Sequence, residues 1–175
     1  MNERDSELVV HDLVKNGYEL ASSEEGADIV LLNTCSVREQ AELKAIGKAN
    51  HIISKNGKTK NVKLGILGCM AQNRGSDLIE DIRGVNLIVG TQKFHRVSEY
   101  LDQIFRDPKS NNTKPLIDLQ EEEGSQNTIN RHSHTHRNQV SAFVSIMQGC
   151  NMNCSFCIVP KTRGSERYRV MDEIC

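Results

Sequence analysis

Tryptophan is absent from this chain of 175 residues, and aromatic residues make up only 4% of it. The 37% of hydrophobic residues suffices for a small core, but a mean hydropathy of −0.50 leaves much of the chain solvated. Long apolar runs are also missing. The longest is Ile29-Val30-Leu31-Leu32, whereas a membrane-spanning helix needs roughly 20 apolar residues. The first residues, Met1-Asn2-Glu3-Arg4-Asp5, contain no apolar stretch of the kind a signal peptide requires. Charge of one sign is lacking too: 22 Lys and Arg stand against 23 Asp and Glu, so composition points to no polyanionic or polycationic partner. These absences lead to the expectation of a cytoplasmic protein without a membrane segment. In that compartment thiols stay reduced, so the six Cys read as metal ligands or reactive thiols before disulfides.

Residues 1–106 alternate between helical and strand patterns. Leu8, Val9, Leu13 and Val14 recur at helical spacing, and Asn16-Gly17 closes that segment. Tyr18-Glu19-Leu20 suggests a short strand, and the run from Asp28 to Asn33 suits a strand buried on both faces. Ser36-Val37-Arg38-Glu39 fits a capping box, which predicts a helix from there to about Ser54. Val62–Leu67 and Asn86–Val89 read as further strands, with a short helix at Ser76–Ile82 between them. A helix at Phe94–Phe105 follows. Strands alternating with helices imply parallel β-α-β units and an α/β layered domain over residues 1–106. Between 107 and 139 only Leu116, Ile117, Leu119 and Ile129 are apolar, so residues 107–138 are expected to be a linker. A new strand, Val140–Ile146, opens a second domain over 139–175.

Chemistry concentrates in that second domain. Cys150, Cys154 and Cys157 lie at the spacing C-x3-C-x2-C, which lets one loop wrap a soft metal centre. A closed zinc site wants four ligands. Three thiols can instead hold a [4Fe–4S] cluster with one iron open to a substrate. A non-catalytic zinc module, with a His as fourth ligand, is the alternative. Earlier in the chain, Cys35 follows the strand ending near Asn33, and Cys69 follows the strand ending at Leu67. Both therefore fall at the carboxyl ends of parallel strands, where α/β sheets bind ligands. His132, His134 and His136 alternate within the linker and read as a solvated tract. Cys175 lies outside every motif. Lys161, Arg163, Arg167 and Arg169 outnumber Glu166 locally and could meet phosphates or simply face solvent.

The Cys loop resembles the signature of the radical S-adenosylmethionine enzymes. Around it, Asn33-Thr34-Cys35-Ser36-Val37-Arg38-Glu39, Leu67-Gly68-Cys69-Met70-Ala71-Gln72 and Val89-Gly90-Thr91 are similar to motifs of the methylthiotransferases. So is the run Ile158-Val159-Pro160-Lys161-Thr162-Arg163-Gly164-Ser165-Glu166-Arg167. The resemblance implies two [4Fe–4S] clusters and S-adenosyl-L-methionine as cofactors. Cys150, Cys154 and Cys157 would hold the radical-generating cluster, with Phe156 beside the bound S-adenosylmethionine. Cys35 and Cys69 would serve an auxiliary cluster that takes three Cys in this family. The implied fold is a flavodoxin-like parallel-sheet domain, a linker and the start of a radical S-adenosylmethionine barrel. Met1-Asn2 matches the end of a Gly-Cys-Gln-Met-Asn motif, so the first strand and first auxiliary Cys are expected to be missing. A full barrel needs roughly 200 residues or more, so the barrel is expected to be truncated and the chain an inactive fragment. The implied activity adds a methylthio group at C2 of N6-isopentenyladenosine beside a tRNA anticodon. Implied partners are the tRNA anticodon loop and an electron donor such as a flavodoxin, with the protein a monomer. Methylthiotransferases acting on threonylcarbamoyladenosine or on a ribosomal protein aspartate remain alternatives.

Overall fold

The structure is a computed structural model that describes residues 2–56, 62–106, 114–121 and 143–174, the side chain of Glu173 excepted. Helix α1 (Asn2–Lys15) is followed by strand β1 (Ile29–Thr34), helix α2 (Glu39–Asn56) and strand β2 (Lys63–Gly68). Two short helices, α3 (Cys69–Arg74) and α4 (Leu78–Asp81), flank a 3-10 turn, and strand β3 (Leu87–Val89) comes next. Helix α5 (Val97–Arg106) leads to strand β4 (Leu116–Asp118). The four strands form one sheet in the order β1-β2-β3-β4, and every pair is parallel.

Alternation along the strands sorts the core into two layers, because successive side chains point to opposite faces. On one face Leu64, Ile66 and Ile88 pack with Ala49 and Ile52 of α2, with Met70 and Ala71 of α3, and with Leu78 and Ile82. On the other, Leu67, Leu87 and Val89 meet Val9 of α1, Phe94, and Val97, Tyr100 and Leu101 of α5. Helices on both faces of a parallel sheet make this the α/β architecture the alternation implied.

Several expected elements are corrected. Tyr18–Leu20 forms no strand; Tyr18 instead packs on the α1–α5 layer and hydrogen-bonds Asp102 at 2.6 Å. Helix α2 starts at Glu39 rather than at a Ser36 cap. The Arg38 carbonyl accepts its first backbone bonds, and Ser36 Oγ is paired with the Glu42 carboxylate. The helix expected at Ser76–Ile82 is the 3-10 turn Gly75–Asp77 followed by α4. Leu116–Asp118, inside the expected linker, is a strand of the sheet. Its Leu116 N–H donates to the Asn86 carbonyl at 2.9 Å, and the Gly90 N–H donates to Asp118 O at 2.8 Å.

After the sheet, strand β5 (Met147–Gln148) precedes helix α6 (Val159–Arg163), strand β6 (Arg167–Tyr168) and helix α7 (Met171–Ile174). Of the strand expected at Val140–Ile146, residues 140–142 lie outside the described residues and 143–146 are not in a strand, while β5 pairs antiparallel with β6. Within the described part of 143–174 the two strands pair antiparallel, with the Cys loop and α6 in the connection between them, and so form no parallel β-α-β unit. His132, His134, His136 and Cys175 lie outside the described residues. Among the described residues no helix is long and apolar enough to cross a membrane.

Candidate metal centre

The motifs meet at the carboxyl edge of the sheet. Register pairs Thr34 of β1 with Gly68 of β2 as their last partners. Cys35 and Cys69 thus occupy the next position out on two strands about 4.8 Å apart. Gly68 makes this turn possible. Its φ of +96° lies in the left-handed region, and a Cβ there would come within 2.6 Å of both Asn33 Oδ1 and the Thr34 carbonyl. Thr34 Oγ1 donates to the Leu67 carbonyl at 2.7 Å, locking the two strand ends together. Asn33 Nδ2 donates to the Asn2 carbonyl at 2.9 Å and to Ser6 Oγ at 3.0 Å, which brings the start of α1 to the same edge.

Cys69 is buried, and Cys35 is half-buried with the Val37 N–H 3.5 Å from its sulfur. The loop after Cys35 is tied to α3 by Asn73 Nδ2, which donates to Ser36 Oγ at 3.2 Å. Both cysteines, like Cys150, Cys154 and Cys157, are free thiols.

The second thiol set reaches this edge through α6. Thr91 Oγ1 donates to the Thr162 carbonyl at 2.6 Å, and Arg167 donates to Gln92 Oε1 at 3.2 Å. Arg163 Nη1 lies 2.7 Å from Asp5 Oδ2, with the two side chains 5% and 2% exposed. Arg163 Nη2 donates to Asn2 Oδ1 at 3.2 Å, and α6 packs against α3, the helix that begins at Cys69. Burial pushes the Asp5 carboxyl up, against the pull of the Arg163 charge. Burial disfavours the Arg163 charge as well, but Asp5 and Cys69 beside it outweigh this and hold its guanidinium above the ordinary range.

The Cys150–Cys157 loop hangs from the same segment. The Cys150 N–H donates to the Gly164 carbonyl at 3.1 Å. Asn151 and Glu166 exchange two bonds, Asn151 N–H to Glu166 Oε1 at 3.2 Å and Glu166 N–H to Asn151 Oδ1 at 3.0 Å. Within the loop, Cys157 N–H donates to the Cys154 carbonyl at 3.1 Å. Cys154 is exposed, Cys150 and Cys157 are half-buried, and Phe156 stands 91% exposed. Among the described residues, no three His, Cys, Asp or Glu side chains are gathered closely enough to hold a metal ion. The fit to an iron–sulfur cluster is thus one of donor chemistry, three thiols on one short loop and two more at adjacent strand ends.

Sequence reasoning located the five cysteines but not the residues that join them. Arg163 and Arg167 stood within a basic stretch read as solvated or phosphate-facing. In the structure Arg163 is buried on Asp5, and Arg167 bonds Gln92, Gln148 and the Arg163 carbonyl. A single signal hinted at this: Asp5 is an acidic residue in an otherwise amphipathic helix, and a carboxylate that α1 buries must find a cation.

Similar proteins match nearly the whole chain. It is 53% identical, over 99% of its length, to a Methylacidiphilum infernorum protein named tRNA-2-methylthio-N(6)-dimethylallyladenosine synthase, covering 37% of that protein. Proteins of the same name from Opitutus terrae and Akkermansia muciniphila are 49% and 43% identical over 99% of the chain, which covers 41% of each. The chain thus spans about two fifths of the length of these curated relatives. Residues 1–90, which carry α1 to β3 and both strand-end cysteines, match the family described as Uncharacterized protein family UPF0004, and the chain belongs to that family.

Proposed function

We propose that this chain is part of a methylthiotransferase that converts the C2–H bond of N6-isopentenyladenosine, beside a tRNA anticodon, into C–S–CH3. The observation that carries this reading is the identity to proteins named as that synthase over 99% of the chain. In this proposal Cys150, Cys154 and Cys157 hold one [4Fe–4S] cluster that leaves an iron for S-adenosyl-L-methionine, with Phe156 alongside. Cys35 and Cys69 contribute thiols to a second cluster. When bound, these groups supply the radical, the methyl group and the sulfur, since an unactivated C2–H bond resists acid–base attack. The protein's own part is to hold the two thiol sets at one sheet edge and to keep the Cys69 sulfur away from water. An anticodon loop suits such a site because its unpaired bases can be splayed out of the stack. An electron donor such as a flavodoxin would deliver the reducing equivalent.

Anaerobic reconstitution with iron and sulfide tests the proposal. The expected result is iron–sulfur absorbance and an electron paramagnetic resonance signal that changes on adding S-adenosylmethionine. Cys150→Ser, Cys154→Ser and Cys157→Ser should each abolish that change. Stoichiometric zinc with no iron–sulfur absorbance would overturn it in favour of a zinc module. Since the chain spans about two fifths of its relatives' length, residues 1–175 alone are expected to yield no methylthiolated tRNA when supplied with both cofactors and reductant. Mass spectrometry of digested tRNA checks this.

A further inference from the structure

We infer that Arg163 is a positioning residue that fastens the Cys150–Cys157 loop to the sheet edge that carries Cys69, so that the two thiol sets are held as one unit. The meaning of this unit rests on the cluster reading above; the contact itself does not. The guanidinium meets two acceptors of α1, Asp5 at 2.7 Å and Asn2 at 3.2 Å, while α6 itself packs against α3, which begins at Cys69. The residue after Arg163 then holds the Cys loop, since the Gly164 carbonyl accepts the Cys150 N–H at 3.1 Å. Thr91 to Thr162 O at 2.6 Å fixes the same turn to the end of β3.

Packing alone does not explain an arginine here. Burying an ion pair generally gains no more than a well-packed apolar pair of similar volume. What arginine adds is a rigid planar fork of five donors that can engage several acceptors at once. Lysine, a single point charge on a flexible stem, could keep Asp5 but not Asn2 as well. Arg163, together with the Thr91 bond, therefore locates the loop of thiols against the edge that carries Cys69.

Amide hydrogen exchange on the metal-free 175-residue chain tests this, independently of whether any cluster forms. In Arg163→Gln, exchange at the Cys150 and Gly164 amides should rise by about tenfold or more while the β2 and β3 amides keep their protection. Arg163→Lys should recover part of the Cys150 protection by keeping the Asp5 pair. Arg163→Gln leaves the Asp5 carboxylate buried without its cation and could unfold the chain. The double variant Asp5→Asn with Arg163→Met removes both charges, should keep β2 and β3 protected, and should still expose the Cys150 amide. An unchanged Cys150 amide in the folded double variant overturns the inference. So does loss of protection spread evenly over β2, β3 and Cys150 in all three variants, which would make Arg163 a support of the whole fold.

Discussion

Arg163, Asp5 and Gly68 carry costs that single substitutions would reveal. Replacing Arg163 with Ala removes the partner of a carboxylate that is 2% exposed. Breaking such a buried pair costs about 3–5 kcal/mol, and urea denaturation should show a midpoint lowered accordingly. Gly68→Ala combines a φ of +96° with a Cβ placed 2.6 Å from the Thr34 carbonyl. Main chain cannot give way as a side-chain tip would, so a loss of about 1–3 kcal/mol is expected, with Cys35 and Cys69 displaced from their shared edge. Two tyrosines predict the alkaline limb of stability. Burial and the hydrogen bond to Asp102 push the Tyr18 hydroxyl from its ordinary 10.0 up to about 12, and burial with Asp118 raises Tyr100 as well. A raised folded-state value means the neutral phenol is favoured by folding. Its contribution is complete below pH 10 and is lost as pH rises through about 12. The denaturation midpoint should fall across that window, and Tyr18→Phe with Tyr100→Phe should flatten the fall.

Strand β4 shows what an element can owe to its neighbour. It has three residues, preceded by Lys114-Pro115, and neither length nor composition announces it. What makes it a strand is the free edge of β3 and the anchoring of Asp118. The Asp118 side chain accepts from the Tyr100 hydroxyl and, at 3.1 Å, from the Gln120 N–H, and it lies 3.8 Å from Lys93 Nζ. Asp118→Ala should cost about 1–3 kcal/mol and raise amide exchange at Leu116 and Gly90 while leaving the β1–β2 amides protected. By contrast, β1, β2, β3, α1, α2 and α5 were legible in the sequence, because apolar runs and helical spacing of that length encode their own burial. The start of α2 was not. Ser36 and Glu39 satisfy the capping-box spacing, yet Ser36 bonds Glu42 and Asn73, a tertiary choice no spacing records. Legibility at the site follows the same division. Thiols announce themselves by spacing, whereas Arg163 looks like any surface cation until its partner, at the opposite end of the sequence, is brought against it.

For the molecule as a whole, the thiols divide into two groups joined through α6 by the Arg163 latch and the Thr91 and Arg167 bonds. Cys35→Ser and Cys69→Ser should each lower reconstituted iron by the same share, since both lie at one step of the β1–β2 register. Cys150→Ser should remove a different share, and total iron measured against protein distinguishes the two. The latch has a further consequence in time. Arg163 and Asn2 are 161 residues apart in the chain, almost its full length. Synthesis is vectorial, at roughly 5–20 residues per second, so the sheet through Asp118 is available seconds before α6, which packs against α3 and its first residue Cys69. During that interval the nascent chain offers the Cys69 sulfur uncovered, and any reagent or metal that meets it then arrives before the lock is made.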